Sequence, residues 1–226
     1  MRIIRINYKF ICKIIITSIL FFSGFDTIYG QSSGEGNGSR IQSLDDLDFV
    51  EMLNSVDPGP SSSLIQKFQA KEGKNRLLNG KYSPTSDCKV EAFRNKEVLL
   101  VTIPAYLLFD PNETTLNNSA AEYLSPIKRY LKDSDMFRVM LVMHTDNTGS
   151  EEYREKVTIE RVDSVFEWFE DEGCDTTYLF SYALGDEMPL KPNNSLENRR
   201  VNRRLEIYLV PGEKMVQQAK TGRIAF

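Results

Sequence analysis

A seven-residue run, FRVMLVM at positions 137–143, constrains the fold of this chain more than any other feature. Apolar residues occupy both alternating faces of the run, which is typical of an inner strand of a sheet that is covered on both sides. His144 ends the run and a turn follows. A helical pattern then covers about 150–172 and stops at Gly173. The run therefore predicts an inner strand followed by a long helix.

Further strands and helices alternate along the C-terminal half of the chain. A helical spacing of apolar residues runs from Ala120 to Leu131, and Pro126 is predicted to kink this helix or to delay its start. The alternation predicts an α+β fold, a mixed sheet with helices packed on it. Besides the run at 137–143, strands are predicted at 97–103, 106–109, 178–184 and 205–210.

The first 30 residues have the composition of a secretory signal peptide. Four basic residues surround the apolar stretch IIITSILFF (14–22), and the small residue Gly30 precedes Gln31. A bilayer span needs about 20 apolar residues, roughly twice the length of this stretch. We therefore expect residues 1–30 to be removed on export, with a membrane anchor as the alternative.

Removal of the signal peptide would leave an acidic chain. It would keep 24 basic and 31 acidic residues, a net charge of −7, which argues against nucleic acid or anionic lipid as a bulk partner. Residues 31–85 begin with the small polar run QSSGEGNGSR and are predicted to be a flexible linker or extension. The folded domain is predicted at 86–211, and residues 212–226 are predicted to form a short helical or disordered tail.

The remaining cysteines and the single histidine exclude several kinds of chemistry. Cys88 and Cys174 lack metal-ligand spacing, and only His144 could join them, so we expect neither a metal nor a cofactor. In an oxidising compartment the two cysteines could form a disulfide or remain separate thiols. The chain also lacks a G-x-S-x-G nucleophile motif and a plausible histidine-based triad, which favours a binding protein over an enzyme.

A carboxylate and a guanidinium are the candidate binding groups. Asp146 follows the strand at 137–143, and Arg161 lies fifteen positions later on the apolar stripe of the predicted helix. Such a pair suits a small zwitterion, whose ammonium would meet the aspartate and whose carboxylate would meet the arginine. Taken singly, each residue also has a structural interpretation: Asp146 could cap the helix, and Arg161 could lay its stem over the core.

An unbroken helix would hold these two groups too far apart, because twelve helical residues rise about 18 Å. The run Val157-Thr158-Ile159 is β-branched, which weakens a helix, and threonine is a good N-cap. We therefore predict that a fresh helix begins at Thr158. Arg161 would then lie in its first turn, beside amide groups that can bind a carboxylate.

Six motifs follow one another in the C-terminal half of the chain. They are LLFDPNETTL (107–116), MHTDNTGSEEY (143–153), VTIERV (157–162), Gly173, ALGDEMP (183–189) and NRRLEI (202–207). In this order they resemble the OmpA-like domain, the peptidoglycan-associating module of outer-membrane protein A, Pal lipoproteins and MotB stators. The resemblance covers about 97–210 and implies a βαβαββ-type mixed sheet in a protein of the periplasm or the outer membrane.

The resemblance also implies a ligand. In the family, the residues that match Asp146 and Arg161 clasp meso-diaminopimelate in the peptidoglycan stem peptide. One arginine of Asn202-Arg203-Arg204 is expected to support the site, and we select Arg204. The full predicted site consists of Thr145, Asp146, Asn147, Arg154, Thr158, Arg161 and Arg204.

Two positions depart from the family pattern. Met143 replaces a glycine and could narrow the rim of the pocket. Arg154 replaces an asparagine that normally helps to frame the site, so it could weaken binding or add a charge contact.

The predicted function is non-catalytic binding of peptidoglycan, which would anchor an envelope component to the cell wall. Many copies, or a tethered partner, would supply avidity. The alternative is a structural component of an envelope complex, in which residues 31–96 dock a partner protein. The two functions are compatible with each other.

Overall fold

The computed structural model describes residues 47–72, 77, 82, 87–133 and 135–226. The expected signal peptide at 1–30 and the polar segment at 31–46 lie outside the described residues. The chain divides into one unit from Met1 to Met52 and a compact unit from Leu53 to Phe226. A short helix, α1 (Phe49–Leu53), crosses this boundary.

Five strands form one mixed sheet in the order β1-β2-β5-β3-β4. β3 and β4 are parallel, and the other three neighbouring pairs are antiparallel. This arrangement confirms the predicted α+β mixed sheet. The strands are β1 (Lys89–Phe93), β2 (Val98–Pro104), β3 (Phe137–His144), β4 (Leu179–Ala183) and β5 (Arg204–Pro211).

The inner strand predicted from FRVMLVM is confirmed as β3. All eight of its residues are buried, and so are all eight residues of its neighbour β5. Alternate residues of the two strands face the main apolar core, where they meet the buried side of the long helix. These core residues include Val139, Leu141, Met143, Leu205, Ile207, Leu209, Val162, Val165 and Phe169.

In the residues that the structure describes, the α-helices after α1 are α2 (Ser62–Glu72), α3 (Ala120–Leu124), α4 (Glu151–Asp171), α5 (Leu196–Asn202) and α6 (Glu213–Lys220). Pro126 ends the α-helix rather than delaying its start, because α3 runs from Ala120 to Leu124 and the chain continues as the 3-10 helix Ser125–Leu131. None of the helices in the described part of the chain combines the length and the hydropathy that a membrane span requires.

The strand predicted at 106–109 is wrong. The chain forms the 3-10 helix Ala105–Leu107 there, and Phe109 makes only an isolated bridge with Leu116. Leu108 and Phe109 are nevertheless buried in the core. A short apolar run indicates that its residues are buried, but it does not show whether they pair in a strand. The strand was predicted here for that reason.

Part of the expected flexible extension packs against the core. In α2, Ile65 and Gln69 are completely buried. The Gln69 side-chain amide donates to the carbonyl of Glu97 at 2.9 Å and to that of Leu209 at 3.1 Å. The boundary expected at residue 86 therefore falls inside the compact unit that begins at Leu53.

The C-terminal tail is ordered as well. The helix α6 confirms the helical alternative for this segment. Beyond it, the Phe226 ring lies 5.1 Å from that of Phe137 and 5.8 Å from that of Tyr130, and the Arg129 guanidinium lies 4.9 Å from its centroid. Cys88 and Cys174 are not joined by a disulfide.

Candidate functional site

Helix α4 is continuous from Glu151 to Asp171, so the predicted break at Thr158 is wrong. Its N-cap is Ser150, whose hydroxyl accepts a hydrogen bond from the Tyr153 amide at 3.2 Å. The buried Thr158 hydroxyl donates within the helix, to the Arg154 and Glu155 carbonyls at 2.9 Å each. Packing of α4 on the sheet outweighs the small helix penalty of β-branched residues.

Asp146 lies two residues beyond β3, and it is only 2% exposed. Its Oδ1 accepts the Thr148 amide at 2.8 Å, and its Oδ2 accepts a hydrogen bond from Nη1 of Arg203. Burial alone would raise the pKa of Asp146, but the hydrogen bonds from Thr148 and Arg203 bring the pKa below its usual value. The carboxylate is therefore ionised at neutral pH, and both of its oxygens are engaged.

Arg161 lies in the third turn of α4 and is 8% exposed. Its Nε and Nη2 donate to the Glu113 carbonyl at 2.9 and 2.8 Å. Its guanidinium carbon is 4.9 Å from the centroid of the Phe109 ring. Both groups that hold Arg161 are uncharged, so these contacts leave its positive charge available to a ligand.

Arg203 pairs with Asp146, and its charge also affects Arg161. It forms an ion pair with Asp146 while its side chain remains 40% exposed. Burial is the main cause of a lowered pKa at Arg161, and the nearby charge of Arg203 lowers that pKa further. Asp146, Arg203 and Arg161 thus share one neighbourhood, called here the charged cluster, even though the helix is unbroken.

Arg204 does not reach the charged cluster. Its Nε donates to Glu206 Oε1 at 2.7 Å, and its two terminal nitrogens donate to the Asn202 and Met188 carbonyls at 3.1 and 3.0 Å. Arg203 therefore occupies the position for which Arg204 was selected. A signal was present in the sequence, because Arg204 and Glu206 lie two apart on a strand and so share a face.

Glu206 is the centre of a buried polar network between β3 and β5. Besides Arg204, it accepts a hydrogen bond from the Tyr208 hydroxyl at 2.6 Å and lies 3.3 Å from His144 Nε2. Burial lowers the pKa of His144, so its imidazole is neutral at pH 7. The network joins the two strand ends that carry Asp146 and Arg203, and so it fixes the base of the charged cluster.

Arg154 ties together two loops beside the site. Its Nε donates to Asp186 Oδ1 at 2.8 Å and its Nη1 donates to the Gly149 carbonyl at 2.7 Å. These contacts join the loop after β3 to the loop after β4, so Arg154 frames the site rather than offering an unpaired charge. Met143 is completely buried in the core, which excludes the predicted narrowing of the pocket rim.

The two residues beside Asp146 have different environments. Thr145 is 8% exposed, and its amide donates to the Gly185 carbonyl at 2.8 Å. Asn147 is exposed. The sequence did not indicate the roles of Phe109 and of the Glu113 carbonyl, because a backbone acceptor leaves no mark on residue type.

Comparison with known proteins identifies the segment that holds this cluster. The OmpA family model matches residues 108–203. The chain is 28% identical over 122 residues to the probable lipoprotein YiaD of Escherichia coli K12, covering 54% of this chain and 56% of that protein. It is 35% identical over 107 residues to the outer-membrane lipoprotein YfiB of Pseudomonas aeruginosa, covering 47% of this chain and 63% of that protein.

The chain thus spans between 56% and 63% of the length of these two relatives. A MotB-like protein from Desulfovibrio vulgaris has the same fold, with a TM-score of 0.58 and 23% identity over 67% of this chain and 98% of that one. YfiB is an outer-membrane lipoprotein by name, which agrees with the envelope location expected from the sequence. Residues 108–203 of this chain are therefore similar to the OmpA family.

Proposed function

We propose that this domain binds peptidoglycan without catalysis, through meso-diaminopimelate of the stem peptide, and so anchors an envelope component to the cell wall. The observation that carries the proposal is the charged cluster, in which a buried carboxylate and a guanidinium with uncharged partners share one neighbourhood. It lies within the segment that matches the OmpA family.

In this proposal Asp146 binds the ammonium of the zwitterionic end of diaminopimelate, and Arg161 binds its carboxylate. Asn147 is exposed beside Asp146 and can contact the ligand directly. Thr145 and Thr158 are buried, so their part is to hold the loop and the helix in place. Arg154 frames the rim through its ion pair with Asp186.

Sedimentation with purified sacculi tests the two principal residues. Asp146→Asn keeps the acceptor for the Thr148 amide but removes the charge, and Arg161→Gln shortens and neutralises the second group. Each change should weaken binding to sacculi at least about tenfold, because each removes one half of a charge-paired contact. A circular dichroism melt should show that both variants remain folded.

Matched controls separate the site from general charge effects. Asp133→Asn and Lys128→Gln make the same charge changes at surface ion pairs with Lys214 and Glu172. These controls should sediment like the unchanged protein. If Asp146→Asn and Arg161→Gln also sediment normally, the proposed site is wrong. Release of soluble wall fragments during the incubation would instead indicate an enzyme.

The alternative, docking of an envelope partner through residues 31–96, needs a truncation that respects the fold. A chain that begins at residue 90 would lack Ile65 and Gln69, both completely buried. It would therefore lose stability as well as any docking segment. A chain that begins at Leu53 keeps the compact unit. Loss of co-purifying envelope proteins from that chain would support a docking role for residues 31–52.

A further inference from the structure

We propose that Arg203 makes the site selective for a ligand that carries a carboxylate beside its ammonium, and that it excludes simple amines. The inference rests on the proposed function and assigns a specificity-determining residue to the same site. Arg203 forms an ion pair with the carboxylate of Asp146.

A ligand ammonium must displace Arg203 before it can bind the carboxylate of Asp146. Asp146 has one oxygen on the Thr148 amide and the other on Arg203, and the residue is 2% exposed. The Arg203 side chain is 40% exposed, so it can move away from Asp146 into solvent. The Asp146–Thr148 contact, by contrast, is a local turn of the backbone.

The side chain of Arg203 can move easily, but its backbone is held in place. Its amide donates to the Arg199 carbonyl at 3.1 Å, and its carbonyl accepts the Ala105 amide at 2.9 Å. With the backbone held on both sides, a displaced Arg203 guanidinium stays close to the site. Its charge already lowers the pKa of Arg161, after the larger effect of burial.

The net charge of the charged cluster differs between a bound amine and a bound zwitterion. The cluster holds one carboxylate and two guanidinium groups. Among the described residues, the contacts of the Arg161 guanidinium are with a carbonyl and an aromatic ring. A bound amine raises the local charge from +1 to +2 in a partly buried site, where like charges are poorly screened. A zwitterion adds no net charge, and its carboxylate can pair with the Arg161 guanidinium. The cluster therefore favours the zwitterion.

Two synthetic stem tripeptides test the inference, one ending in meso-diaminopimelate and the other in L-lysine, which lacks the distal carboxylate. Titration calorimetry with the full chain should show a preference of at least about tenfold for the diaminopimelate peptide. Arg203→Gln should reduce that preference about tenfold, chiefly because the lysine peptide gains affinity once Asp146 is uncovered. Arg203→Lys keeps the charge and should keep most of the preference.

Arg200→Gln is the matched control, since it removes the same charge from α5. Arg200 lies over the Tyr106 ring, 4.1 Å from its centroid, and beside Asp87, and its removal should leave the preference unchanged. A preference in Arg203→Gln equal to that of the unchanged protein overturns the inference and leaves the proposed function intact.

Two other outcomes are informative. If the preference falls only because the diaminopimelate peptide binds less tightly, Arg203 is a direct carboxylate ligand and the inference is wrong. If the unchanged protein binds neither peptide, the proposed function itself fails, and the inference fails with it.

Discussion

Replacement of Glu206 by glutamine should lower the free energy of unfolding at pH 7 by about 3–5 kcal/mol. Glu206 is 5% exposed and its carboxylate is the anionic partner of Arg204, which is 2% exposed. Glutamine keeps the shape of the side chain but leaves the Arg204 guanidinium buried without a counter-charge. Removal of one member of a buried ion pair is costly for this reason, whatever the net value of the intact pair.

The effect should depend on pH in a defined direction. Burial alone would raise the pKa of Glu206, but contacts with His144, Arg204 and Tyr208 outweigh it and lower the pKa from 4.5 to about 2. Because the folded pKa lies below the unfolded one, the stabilisation is fully present above about pH 4.5. It should be lost as the pH falls from there toward 2, and the two proteins should converge.

Urea unfolding at a series of pH values measures this difference directly. Glu160→Gln is the matched control, because Glu160 forms an exposed ion pair with Lys156 and should contribute under about 1 kcal/mol. Equal midpoints for Glu206→Gln and the unchanged protein at pH 7 would show that the buried network does not stabilise the fold. A gap that stays constant down to pH 2 would show that the carboxylate charge is not its source.

Replacement of Gly212 by alanine should destabilise the fold by about 3 kcal/mol. A Cβ atom on Gly212 would lie 1.9 Å from the carbonyl oxygen of Asp135 and 2.5 Å from its carbonyl carbon. These are backbone atoms, so they cannot rotate away as a side chain could. The same contact region holds two backbone hydrogen bonds, from Gly212 to Met136 at 3.0 Å and from Lys214 to Asp135 at 3.1 Å.

Gly222→Ala is the control for this prediction. A Cβ atom at Gly222 meets nothing within 4 Å, so the change costs only the positive φ of 85°. That cost is about 1–2 kcal/mol. Thermal melts should therefore rank the unchanged protein first, Gly222→Ala second and Gly212→Ala last. A Gly212→Ala protein that melts with or above Gly222→Ala would contradict the close approach of the two backbone segments.

Some parts of the charged cluster could be predicted from sequence and others could not. Asp146 and Arg161 could be predicted because local patterns identify them. Asp146 follows the end of an apolar strand, and Arg161 interrupts the apolar face of a helix. The choice between Arg203 and Arg204 depends on which face of β5 each residue takes and on what lies opposite. That depends on the register in which β5 pairs with β2 and β3. The Glu113 carbonyl that holds Arg161 comes from a loop 48 residues away.

The predicted helix break at Thr158 was wrong for the same reason, since contacts with residues distant in the chain decided the outcome. Intrinsic helix propensity weighs only a few tenths of a kcal/mol per residue, so three β-branched residues give a real but small preference for a break. Buried Val157 and Thr158, with Val162, Val165 and Phe169 further along, pack α4 onto the protein and override that preference. The helix does not bend to bring the two candidate groups together. Arg203 pairs with Asp146 and is near enough to Arg161 to lower its pKa.

The sequence by itself determined the inner strand β3, the long helix that ends before Gly173, the last strand β5 and the family motifs. Each of these depends on short-range periodicity or on a fixed spacing of residues. Only the tertiary structure decided that α2 belongs to the compact unit, that Arg203 covers Asp146, and that the backbone at Gly212 touches Asp135. These are contacts between residues distant in the chain, and their energy depends on geometry that no local pattern specifies.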